Sequence, residues 1–119
     1  MSTTEARPNG VDVTQLVQTV EAILHALGSC LAVGISYNAA ALGIELRGLT
    51  FDLEGSLDLH GFLGLSDDVR PGYSNVRVTC HIDSDAPAEK VDELCAYTQR
   101  TSPVLDILRN PVNVTVTRV

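Results

Sequence analysis

The sequence predicts a single α+β domain in which one long apolar helix packs on a largely antiparallel sheet. Three observations carry that prediction. Apolar residues recur at helical spacing from Val13 to Leu27 and continue with little polar relief to Leu42. The period then changes to two, at Leu49, Phe51 and Leu53, and again from Val76 to Ile82. Two further helical stretches and a last alternation of valines give the order helix, strand, strand, helix, short helix, strand. At 119 residues, 45% of them hydrophobic, the chain can build one core but not two.

Residues 1–11 are polar, with Pro8 and Gly10, and read as a disordered leader before a domain spanning 12–119. Asp12 followed by Gln15 resembles a capping box that opens the first helix. Val13, Leu16, Val17, Val20, Ile23, Leu24 and Leu27 then mark one face. From Gly28 to Leu42 the polar face disappears, which predicts burial on most sides, and Gly43 is placed to end the helix. A continuous helix would span about 45 Å. Gly28 and Gly34 each cost it about 1 kcal/mol relative to alanine, so a break near residues 18–21 is anticipated.

A strand is expected over residues 45–58, with Gly48 as a bulge or the true start, because Ile44 and Leu46 lie out of phase with Leu49. Residues 60–75 carry three glycines, a proline and paired aspartates, which is loop chemistry. Val76, Val78, Cys80 and Ile82 alternate with polar residues, so Cys80 points inward. Ser84 or Asp85 can cap a helix beginning near Pro87, and Cys95 lies on its inner side. Ser102 before Pro103 opens a short helix that Asn110 and Pro111 stop. Val112, Val114 and Val116 form the predicted last strand.

Composition excludes several classes. Fifteen carboxylates stand against seven arginines and Lys90, a net charge of −7, and the cations are scattered singly; no nucleic-acid partner is expected. The apolar stretch from Cys30 to Ile44 is interrupted by Ser36, Tyr37 and Asn38 and falls short of the roughly 18–20 residues of a membrane span, so no membrane partner is expected. The N-terminus MSTTEARPNG lacks the pattern of a secretion signal, and a cytoplasmic location is expected. Cys30, Cys80 and Cys95 are odd in number and far apart, which argues against a disulfide framework. His25, His60 and His81 show no metal-ligand spacing with them, and the glycines at 61, 64 and 72 form no phosphate-binding loop; neither metal nor cofactor is expected.

The stretches HALGSCLAVGISYNAAALGIEL, GFLGLSDDVRPGYSNVRV and SPVLDILRNPVNVTV resemble the cysteine helix, a strand-flanking loop and the C-terminal end of the OsmC/Ohr family. The resemblance runs over roughly residues 20–119. It implies an intertwined homodimer around a central buried cysteine helix, with Cys30 as the candidate peroxidatic thiol. Stress-linked thiol chemistry on organic hydroperoxides, with an external thiol reductant, is the activity it suggests. Members with that activity carry a second, resolving cysteine before the C-terminal Pro-Val; here that place is Ser102. A serine cannot form the disulfide, so no intramolecular disulfide is expected on peroxide treatment. The arginine that relatives supply from N-terminal strands has no counterpart in this sequence. Their acidic partner falls near Glu21, a second candidate, although nine residues of straight helix turn Glu21 about 180° from Cys30.

From the residues alone Cys30 reads either as a reactive thiol or as an inert buried one. Two functions therefore remain open: a one-cysteine peroxidase or redox sensor, and a non-catalytic dimeric binding or scaffold module. Assembly follows more directly. An apolar helix with small residues (Gly28, Ser29, Gly34, Ala39, Ala40, Ala41) needs more cover than three strands and two short helices supply, and a second copy supplies it with Ala40 on the contact face.

Overall fold

With no proline and with alanine and leucine frequent, the first helix, α1 (Val13–Ala41), runs unbroken in the computed structural model, which describes residues 13–119. The expected disordered leader and the Asp12 cap lie outside the described residues. The break anticipated at 18–21 does not occur, because no residue there lacks an N–H or opens the ladder, and the Thr19 hydroxyl donates to the Gln15 carbonyl within the same turn. The helix stops where Gly43 takes a φ of 71°. Ile44 N–H donates to the Ala39 carbonyl and Gly43 N–H to that of Ala40, the paired bonds of a Schellman end.

Strands β1 (Gly48–Ser56) and β2 (Asn75–Asp83) pair antiparallel, with Gly48 opposite Asp83, Phe51 opposite Cys80 and Ser56 opposite Asn75. Gly48 is therefore the strand start. Leu49, Phe51, Leu53, Val76, Val78, Cys80 and Ile82 pack on the core side, while Asp52, Glu54, Arg77 and His81 form exposed ion pairs on the other. Such exposed pairs contribute little. Ile44 and Leu46 precede the strand yet still pack against the core.

The long connection contains one unexpected turn of helix, α2 (Leu59–Phe62), where the Asp58 carboxylate accepts the His60 N–H. That bond, followed by the His60 side chain, holds Asp58 below the usual carboxylate range. Helix α3 (Ala88–Thr101) follows Pro87, with no side-chain cap. Ser84 is not the cap: its hydroxyl donates to the Glu45 carbonyl and accepts from Ala86 N–H, pinning the β2–α3 turn to the segment between α1 and β1. Helix α4 (Pro103–Arg109) opens as expected, with the Ser102 hydroxyl accepting from Leu105 N–H.

The core is two adjoining clusters on one side of α1. Leu27, Leu31 and Leu105 pack over Phe51, Leu53, Val76 and Val78. Ile35, Ala39 and Leu94 pack over Leu49, Phe51, Cys80 and Ile82. Both helix glycines are close-approach positions: a Cβ at Gly28 would lie 2.9 Å from Leu53 Cδ1, and one at Gly34 would lie 2.8 Å from Thr98 Cγ2. Their propensity cost is offset by letting the sheet and α3 reach the helix axis.

Three further expectations are corrected. The helix is not buried on most sides, since Val33 is 70% and Tyr37 73% exposed and Ala40 is open as well. One sheet and two short helices cover only the face that bears Leu27, Leu31 and Ile35. By length and composition α1 is also long and apolar enough to cross a membrane, because its interrupting residues are mostly uncharged. The predicted last strand does not form: residues 111–119 form no strand and are exposed throughout, with Val116 92% accessible. A strand needs a neighbouring edge to satisfy its N–H and C=O groups, and this tail pairs with neither open edge of the two-stranded sheet.

Candidate thiol site

Cys30 lies mid-way along α1, half-buried, where the helix passes the junction between α3 and α4. Its sulfur is 3.2 Å from the hydroxyl oxygen of Ser102. Ser102 is 4% exposed and serves two neighbours at once: it accepts the Leu105 N–H at 3.4 Å and shares a hydrogen bond with the Cys30 sulfur in which either group can donate. The two side chains are 72 positions apart in the chain and meet because Leu105, in the first turn of α4, is anchored against Leu27 and Leu31 one turn before and directly after Cys30. The reading of Ser102 as a helix cap therefore holds together with a second contact that local sequence does not show.

The other candidates stand apart from this contact. Glu21 is exposed, about two and a half turns earlier on α1. Its charge, after burial, is what raises the Tyr73 hydroxyl above its ordinary range. His25 and Tyr37, the titratable side chains five residues before and seven after Cys30 on the same helix, are both exposed. Among the described residues no arginine makes a hydrogen bond or ion pair with Cys30. Arg47 engages Asp83 and Asp85, Arg77 engages Glu54, Arg109 donates to Gln99, and Arg100 lies 5.6 Å over the Tyr97 ring. Also among the described residues, no three His, Cys, Asp or Glu side chains are arranged to hold a metal ion.

Beside the thiol site a groove of about 810 Å³ runs between α1, β2 and the α3–α4 pair. Its walls include Leu27, Leu31, Ile35, Phe51, Cys80 and Cys95. Thr98 at its edge is 1% exposed and accepts from the Asn38 amide at 3.3 Å, which ties α3 to α1. The facing of Cys80 and Cys95 across this groove is absent from the sequence reading, which treats each as a separate core residue. The inward alternation of β2 and the inner face of α3 are the signals for it, but only the packing of one on the other brings them together.

The sequence model described as OsmC-like protein matches residues 11–117. Among solved structures, an OsmC-like protein from Mycoplasma pneumoniae is similar over 76% of this chain, with a TM-score of 0.67 and 19% identity. That likeness covers 60% of the Mycoplasma chain, so the present chain spans about three fifths of its length. Comparison with curated protein sequences gives no match. The family match covers the cysteine helix, both strands and the Ser102 junction, and with the shared fold it leads to one conclusion: the chain belongs to the OsmC-like family.

Proposed function

We propose that this chain is a cytoplasmic, homodimeric thiol protein of oxidative-stress defence, in which Cys30 reduces organic hydroperoxides without a resolving cysteine. The observation that carries this reading is the 3.2 Å approach of the Ser102 hydroxyl to the Cys30 sulfur, at the place where the family resemblance sets two thiols. A hydroxyl that donates to sulfur stabilises the thiolate over the thiol. The thiolate attacks the distal oxygen of the hydroperoxide, the O–O bond breaks, and the alkoxide leaves and takes up a proton. Cys30 becomes a sulfenic acid. Ser102 has no sulfur to attack it. An external thiol then displaces water to form a mixed disulfide, and a second external thiol releases Cys30 and carries away the disulfide.

Assembly supports the same reading. Apolar surface stays open on the described residues: the outer stripe of α1, with Val33, Tyr37 and Ala40, and the unpaired tail with Val112, Val114 and Val116. A second copy covers both by helix packing and by strand pairing.

The lack of an arginine contact to Cys30 among the described residues favours the second reading, a dimeric OsmC-fold module without turnover. One experiment separates them. Cumene hydroperoxide is added to the full-length protein, sulfenic acid is trapped with dimedone, and the adduct is mapped by mass spectrometry. Labelling concentrated at Cys30 supports turnover. Equal labelling of the three cysteines, or none, eliminates it.

A further inference from the structure

We infer that Cys80 and Cys95 form a second redox site, a dithiol that closes to an intramolecular disulfide under organic hydroperoxide and so ties β2 to α3. This site is independent of Cys30 and of the function proposed for it, and it departs from the expectation, drawn from Ser102 alone, that peroxide treatment gives no intramolecular disulfide. The strand alternation that buries Val78 and Ile82 turns Cys80 to the inner face, opposite Phe51 in register. Cys95 follows Leu94, the most deeply buried residue of α3, and lies one turn before buried Thr98. Both cysteines are half-buried and line the same groove. There Cys80 packs against the cluster that holds Leu94, next to Cys95 in α3, and the two thiols are close enough to perturb one another.

With Cys95 as the first thiol to react, its sulfur attacks the distal hydroperoxide oxygen; the O–O bond breaks, the alcohol leaves with the thiol proton, and Cys95 carries a sulfenic acid. The Cys80 sulfur then attacks the Cys95 sulfur, the S–O bond breaks, and hydroxide leaves as water with the proton of Cys80. Two thiols supply the two electrons that convert hydroperoxide to alcohol and water. Burial pushes Cys80 up to about 11, and burial followed by the nearby Asp92 carboxylate raises Cys95 as well. Thiolate is scarce at neutral pH, so the pair responds to sustained oxidant and spares brief exposure.

The test uses the full chain, as wild type and as Cys30→Ser, each held for hours with cumene hydroperoxide. Free thiols are then blocked with N-ethylmaleimide, and peptides are mapped without reduction. Both proteins should yield one peptide linked through Cys80 and Cys95, lose both of those thiols together and regain them with dithiothreitol. Cys95→Ala should abolish the link. Recovery of Cys80 and Cys95 as separate maleimide adducts, their oxidation to separate sulfinic acids, or a link between two chains would overturn the inference. The wild-type result stands even if a variant fails to fold, and persistence of the link in Cys30→Ser distinguishes this site from the first.

Discussion

Replacing Ser102 by cysteine restores a second sulfur beside Cys30, and the structure sets what must follow. The existing Sγ···Oγ distance is 3.2 Å, and a disulfide needs about 2.05 Å. The longer Cβ–S bond of cysteine closes part of that gap, leaving an adjustment on the order of 0.8 Å, within what a side-chain rotation can supply. The bond would join residues 72 apart in sequence. Loop closure of that length removes enough unfolded-state entropy for about 4 kcal/mol, less whatever strain the adjustment adds. In the reduced state the variant loses the hydroxyl that caps α4, at a cost of about 1 kcal/mol. Two opposite shifts are therefore expected. With dithiothreitol the variant melts a few degrees below wild type; after diamide it melts on the order of 10 °C above it. Thiol counting, a non-reducing peptide map and paired melting curves read all three states. If oxidant produces no bond between Cys30 and the introduced cysteine, the two positions are not neighbours in solution and the site as described is wrong.

Other expectations rest on separate contacts. Gly34→Ala should gain about 1 kcal/mol in helix propensity but set a methyl group 2.8 Å from Thr98 Cγ2, at an overpacking cost of about 1–3 kcal/mol. A net fall in melting temperature is expected, and a rise would show that α3 yields there. Ala40→Glu places a charge on the exposed stripe of α1; sedimentation at micromolar concentration should show a dimer for wild type and its loss, or aggregation, for the variant. A well-folded wild-type monomer would refute the assembly. The raised pKa of Cys80, pushed to about 11 mainly by burial, also fixes a pH response. Because the folded value lies above the unfolded one, the stabilisation is complete below about pH 9 and is lost as pH rises through 11. Denaturant midpoints should fall over that window and fall less in Cys80→Ala; parallel curves would place the alkaline transition elsewhere.

The sequence by itself determined the local elements, because each depended on residues close to one another. The 3.6-residue spacing from Val13 onward, Gly43 at a positive φ, the period of two in both strands and Ser102 before Pro103 are all short-range causes, and they produce α1, its end, β1, β2 and the start of α4. Cys30 could be singled out because the family pattern around it is also local. Tertiary packing decided the rest. Whether Val112, Val114 and Val116 become a strand depends on whether the tail lies along a sheet edge, which in the described fold it does not, and their alternation is the same in either case. How far α1 is buried depends on how much surface the other elements cover, which hydrophobicity cannot state. Above all, the thiol neighbourhoods are long-range: Ser102 reaches Cys30 because Leu105 seats against Leu27 and Leu31, and Cys95 faces Cys80 because Leu94 seats against Ile35 and Ala39. Apolar contacts far apart in the chain bring the sulfur atoms to their partners, and no spacing along the sequence encodes that distance.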